Sequence, residues 1–429
     1  MPISVLILIF AFALKDTFLA LRIAIISIIA LINNQFVLSA ITDSFFNQTK
    51  LHVYVIGILF YLIIFLLIKL FSKRKFTKAL KLFIFITILI FFMSYQNFFK
   101  SIQFLFNVVG GFLGLFILIN SIIKDFNIDN ISKFKILEKD YFYIIVVILL
   151  LSFAIIIIDL NTNFSYLNMQ AQALSSLRGD GEMKLIGNIP SQYTTGFLGI
   201  DFLVRYTSLI NDPLRGAYWY LYLSLFLIGF KVNQYIKILM LFILGIFLLN
   251  CWSKGVFISI FFISIFYILY KYKFYKFSLL VFIFITVLFI YLSGILKSSA
   301  VIHVLGLLLP FKEDMNLNYF IGNNFFEAGN MGRIDGEHWM DSVARGAESL
   351  VGTYMYAYGL VGVSIYMFIH YQTINILNEY KHYLVAAIIT IGLFISFLQE
   401  GQYNVSQVFS MYMLIFFLVG RKKIKDLKC

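Results

Sequence analysis

Five charged side chains recur at near-helical spacing: Arg333, Glu337, Asp341, Arg345 and Glu348, at intervals of four, four, four and three. On a helix such residues share one face. There they form a salt-bridge ladder or present a mixed acid–base surface. Gly336 and Gly346 weaken the helix. His338, beside Trp339, lies off this stripe and is a candidate acid–base group. A second polar stretch holds Arg178, Arg205 and Arg215 among Asp180, Glu182, Asp201 and Asp212. A guanidinium offers paired planar donors that match phosphate oxygens, so these arginines suit a phosphate; the alternative is pairing with the loop's own acids. The segments NIPSQYTTGF and YTSLINDPLRGAYWY add amides, hydroxyls and rings of the kind that hold sugars. Lys254, in the break CWSKG, stands between two apolar runs. A lysine at membrane depth costs on the order of 3 kcal/mol. Lys254 therefore either snorkels from a helix end or is held toward an anionic ligand.

The elements that must position these groups are apolar. Of 429 residues, 61% are hydrophobic and 13% charged, and the mean hydropathy is +0.91. Soluble domains are nearer half apolar and a quarter charged. The excess lies in continuous runs near bilayer-spanning length, not in the alternating pattern of a membrane β-barrel. The expected fold is an all-α polytopic membrane protein of one domain, residues 1–429. About twelve spans (roughly 11–13) are expected. They fall at about 17–37, 51–71, 82–98, 102–123, 141–159, 214–230, 237–250, 254–270, 277–296, 351–371, 383–399 and 406–420, with residues 2–14 ambiguous between a span, a half-helix and an interfacial helix. The N-terminal apolar run, followed by Lys15, Asp16 and Arg22 without a small-residue cleavage site, reads as a retained membrane segment rather than a signal peptide.

The net charge of +13 collects in short breaks: Lys73, Arg74, Lys75, Lys78 and Lys81; Lys271, Lys273 and Lys276; Arg421, Lys422, Lys423, Lys425 and Lys428. This is the positive-inside signature, with some attraction to anionic lipid in the bilayer, and it does not call for nucleic acid. It puts the C-terminus in the cytoplasm and the two long polar loops, about 160–213 and 297–350, on the far side. Cys251 and Cys429 then fall on opposite sides, so no disulfide is expected. The sequence carries no HExxH, CxxC, Walker or GxGxxG motif, so no metal, cofactor or ATP coupling is expected.

Three segments resemble the O-antigen polymerase and O-antigen ligase superfamily of bacterial envelope enzymes (Wzy-like polymerases among them). LLNCWSKGVFISIF resembles the family's short outer turn, with Ser253, Lys254 and Gly255 as its Ser-Lys-Gly. FIGNNFFEAGN resembles the glycine-and-asparagine stretch of the long outer loop. ESLVGTYMYAYGLVGVSIY resembles the loop exit, where a polar pair precedes a helix with Gly-Leu-x-Gly, here Gly359 to Gly362. In ligases the pair is His-Asn; this chain has Glu348 and Ser349, which favours a polymerase.

The resemblance implies a GT-C-like membrane fold in the bacterial inner membrane, with both long loops periplasmic. It implies metal-independent glycosyl transfer between undecaprenyl-diphosphate-linked glycans, with lipid diphosphate leaving and a chain-length regulator protein as a further partner. On that reading Arg178, Arg205, Arg215, Lys254, Arg333 and Arg345 form the pool of diphosphate binders. Glu348 is the candidate base or orients the acceptor, and His338 and Asp341 are secondary candidates. The cations of both loops and Lys254 are expected to face one cavity. The competing readings are a lipid-linked oligosaccharide flippase, an O-antigen ligase, and a metal-dependent glycosyltransferase for which Asp43 is thin support. Charges clustered in loops rather than inside spans favour the enzyme over the flippase.

Overall fold

The computed structural model describes residues 15–33, 48–72, 114–165, 167–168, 185–186, 189–190, 194–197, 200–205, 213–251, 253–296, 300–312, 315, 317–323, 328–329, 339–398 and 405–426. Expected spans 82–98 and the first part of 102–123, with residues 2–14, lie outside them.

Helices lie at the remaining expected spans, some of them short: that at 102–123 has 12 described residues and that at 383–399 has 14. In chain order they are α1 (Thr17–Asn33), α2 (Gln48–Phe71), α3 (Gly114–Asp125), α4 (Ile131–Asn161), α5 (Pro213–Gly229), α6 (Gln234–Asn250), α7 (Lys254–Lys271) and α8 (Tyr275–Leu296). Beyond them come α9 (Ala300–Leu308), α10 (Leu317–Ile321), α11 (Trp339–Ala344), α12 (Leu350–Glu379), α13 (Tyr383–Ser396) and α14 (Val405–Asp426). The fold is helical. The first polar loop adds two antiparallel hairpins the sequence did not announce: β1 (Leu185–Ile186) with β2 (Ile189–Pro190), and β3 (Thr194–Phe197) with β4 (Ile200–Val204).

Local chemistry fixes several helix ends. The Asp16 carboxylate accepts from the backbone N–H groups of Phe18 and Leu19 at 2.8 and 3.3 Å. The Asn233 side chain accepts from Tyr235 N at 2.9 Å and starts α6. Each such cap contributes about 1 kcal/mol. Lys271 closes α7, and Lys423 and Lys425 close α14, where positive charge complements the helix dipole.

Two helical stretches, Ile128–Asn161 and Leu350–Glu379, are long and apolar enough to cross a membrane. Both α4 and α8 leave large apolar side chains uncovered, among them Leu150, Phe153 and Ile157 on the first and Leu280, Phe284 and Val287 on the second. Soluble monomers rarely expose apolar surface in contiguous patches of this kind. Such helices are compatible with a membrane protein.

The chain forms two compact units: residues 1–110, 117–256 and 405–429, and residues 111–116 with 257–404. In the first, Phe134 of α4 sits among Phe71, Phe126, Phe416 and Phe417, with ring centroids 5.3–6.0 Å away. An added methyl on Gly420 would come 2.3 Å from the Phe134 ring, so the glycine lets α14 pass it. Two ion pairs bind other helices to α4. Arg22 of α1 grips Asp140 through two nitrogens, at 2.6 and 3.2 Å. Arg421 of α14 pairs with Glu138, and both side chains are mostly buried. It also donates to the Phe226 carbonyl at 3.1 Å and lies 4.5 Å over that residue's ring. Arg421 is thus a structural tie as well as one of the basic charges read as a topology signal. In the second unit a 2.6 Å hydroxyl contact between Tyr270 and Thr390 joins α7 to α13.

Candidate functional site

The described part of the second polar loop next to α12, residues 339–349, folds as a cap on the start of that helix. The four-residue spacing from Arg333 to Glu348 does not produce a continuous helical face. Helix α11 ends at Ala344, and the chain then turns through Gly346 and Glu348, at φ +89° and +73°. Arg333 and Glu337 lie outside the described residues. The ladder fails because the turn requires left-handed backbone, which glycine adopts freely and glutamate adopts only under constraint.

Constraint is visible on every side of Glu348. Ala347 N donates to Ser342 O at 3.0 Å, and Ser349 N to Gly346 O at 3.1 Å. The Ser349 hydroxyl accepts from Gly352 N at 3.0 Å and caps α12. The Thr353 hydroxyl reaches back to the carbonyls of Gly346 and Ser349, at 3.0 and 2.9 Å. Helix α9 crosses the start of α12 at glycines: a methyl on Gly352 would lie 2.0 Å from Gly306 O, and one on Gly306 1.9 Å from Ala347 O.

That crossing brings His303 of α9 to Glu348. Its Nδ1 lies 3.2 Å from the Glu348 carbonyl oxygen and 3.5 Å from a carboxylate oxygen of the same residue. A carbonyl can only accept, so Nδ1 carries the hydrogen and donates it. The side chains are 28% and 39% exposed, open enough to meet a ligand. Sequence reasoning missed His303. Its one signal was an imidazole inside the apolar run AVIHVLGLL, and nothing in the spacing tied it to a residue 45 positions away.

The glycine-and-asparagine stretch docks at two points. Asn323 N donates to Tyr356 O at 2.7 Å, and Gly329 N to Arg345 O at 3.0 Å. At the first point α12 is broken inside: Gly359 has φ +62° and ψ −165°, a region only glycine enters readily. A methyl there would lie 2.4 Å from the Phe320 backbone. The expected uniform helix 351–371 is therefore two segments, a short one carrying the site and one of about 20 residues, roughly 30 Å long.

The remaining predicted residues are distributed as follows. Arg345 follows α11 in the Glu348 turn, half-buried, and Asp341 lies exposed in the first turn of α11. Both belong with Glu348 to the second unit. In the first unit, Arg205 follows β4 and is half-buried. Arg215 falls in the first turn of α5, and Lys254 opens α7. Ser253, just before Lys254, is buried and its carbonyl accepts from Val256 N at 3.2 Å, so the Ser-Lys-Gly turn is a helix start. Arg178, His338, Arg333 and Asp43 lie outside the described residues. Among the described residues no three of His, Cys, Asp and Glu gather as metal ligands.

The chain matches no known family model, no characterised protein and no solved structure. The fold and the site define it as a helical protein with membrane-compatible helices and a polar, strained turn at the entrance to its kinked helix α12.

Proposed function

We propose that the chain is a polytopic inner-membrane glycosyltransferase that polymerises undecaprenyl-diphosphate-linked oligosaccharide repeat units into O-antigen or a related surface polysaccharide. The observation that carries this reading is the Glu348 turn: a partly exposed carboxylate held in left-handed backbone beside His303. Non-glycine residues persist in such backbone only where the surroundings impose it, and such strain clusters at active sites. About twelve spans would hold the turn at the outer membrane surface, where a lipid-linked substrate presents its sugars.

The reaction requires two kinds of group. One withdraws a proton from an acceptor sugar hydroxyl, and the Glu348–His303 pair supplies it. The other holds the lipid diphosphate as it departs from the donor's anomeric carbon. Arg178, Arg205, Arg215, Lys254, Arg333 and Arg345 are the pool for that role. Lys254 suits it further, because it opens α7, and the positive end of a helix dipole favours an anion.

Deletion of the gene tests the class. A polymerase leaves surface glycan of single repeat units when lost. Loss of all surface glycan would instead indicate a flippase, and long chains stranded on the lipid carrier a ligase.

A further inference from the structure

We propose that His303, through Nε2, is the group that accepts the proton from the attacking hydroxyl, and that Glu348 orients it and balances its charge. This deepens the glycosyl-transfer reading and rests on it. The Glu348 carbonyl, 3.2 Å from Nδ1, can only accept a hydrogen bond, which places the imidazole hydrogen on Nδ1 and leaves the Nε2 lone pair basic. The ring meets Glu348 through Nδ1 alone, and among the described residues no hydrogen bond to Nε2 is present. The His303 side chain is 28% exposed, so the ring is not sealed from a substrate. The carboxylate oxygen 3.5 Å from Nδ1 lies on the side of the ring away from the basic nitrogen, where a negative charge stabilises an imidazolium.

The step balances without a co-reactant. The Nε2 lone pair takes the proton of the acceptor hydroxyl. The hydroxyl oxygen forms a bond to the donor's anomeric carbon. The bond from that carbon to the diphosphate oxygen breaks, and its electron pair leaves with the lipid diphosphate. The imidazolium then returns its proton to solvent.

Glu348 differs here from a carboxylate that alone fixes a histidine tautomer. Its backbone carbonyl fixes the tautomer and survives any side-chain substitution, so Glu348→Gln keeps the tautomer and removes the negative charge beside Nδ1. The proposal therefore predicts an order of effects in the purified full-length protein elongating a lipid-linked repeat unit. His303→Asn keeps an Nδ1-like donor for the carbonyl but has no basic nitrogen. It is expected to lose about 100-fold or more in kcat, within the range of general-base catalysis, with KM for the acceptor and thermal midpoint near wild type. Glu348→Gln is expected to lose about tenfold, an order less. His303→Asn with near-wild-type kcat would reduce the ring to a structural donor and overturn the proposal. So would a Glu348→Gln loss exceeding that of His303→Asn, which would make Glu348 the base. No elongation by wild type would overturn the glycosyl-transfer reading and this proposal together; elongation by wild type and His303→Asn alike would overturn this proposal alone.

Discussion

Replacing Gly352 with alanine tests the helix crossing that holds the Glu348 turn. The new methyl would lie 2.0 Å from the Gly306 carbonyl oxygen, whereas ordinary contact begins at 3.4 Å. The obstacle is backbone on α9, so no side-chain rotation relieves it, and the helices must separate by about 1.4 Å. His303 lies one turn before Gly306 on the same helix. A displacement of that size would stretch its 3.2 Å contact with the Glu348 carbonyl beyond hydrogen-bond range. Overpacking of this kind costs about 1–3 kcal/mol, and the lost hydrogen bond about 1 more. A reacting group misplaced by about 1 Å costs roughly 100-fold in rate. Gly245→Ala is the control: it lies inside α6 with nothing within 4 Å of its added methyl, and alanine favours a helix by up to about 1 kcal/mol. Thermal unfolding in detergent and gel analysis of polymer length read the two variants. Gly352→Ala should unfold several degrees lower and make little polymer, while Gly245→Ala should match or exceed wild type in stability. Equal behaviour of the two variants would refute the close crossing.

Gly359→Ala meets both the strained backbone, worth about 1–3 kcal/mol, and the Phe320 backbone at 2.4 Å; reduced stability is expected, and an unchanged melting temperature would argue against the kink. Arg421→Met strands Glu138 in a mostly buried site; the cost should approach about 3 kcal/mol, and the double variant with Glu138→Leu should recover much of it in the same melt. Lys254→Ala should abolish polymer while Lys254→Arg retains it at equal expression; retention in both would remove Lys254 from the diphosphate pool.

The helices were legible because apolar runs bounded by charge need no tertiary information: the run read as 214–230 became Pro213–Gly229 and that read as 277–296 became Tyr275–Leu296. The turn was legible only in part. Gly346 signalled that a helix through Arg345 would be weak, but the positive φ of Glu348 depends on Thr353, Ser349 and α9 closing around it. Gly359 reads in sequence as the first glycine of a Gly-Leu-x-Gly helix, with no sign of a break. Its break requires Phe320 and Gly322, whose approach no spacing encodes. His303 was hidden for the same reason: its partner is set by the crossing of two glycines, Gly306 and Gly352, and not by any periodic pattern.

The proposed reaction is glycosyl transfer with lipid diphosphate as the leaving group. Purified protein in liposomes with undecaprenyl-diphosphate-linked repeat units, assayed for released lipid diphosphate against glycan length, tests it. One lipid diphosphate is expected to be released for each repeat unit added. Movement of intact lipid-linked units across the bilayer with no release would contradict it.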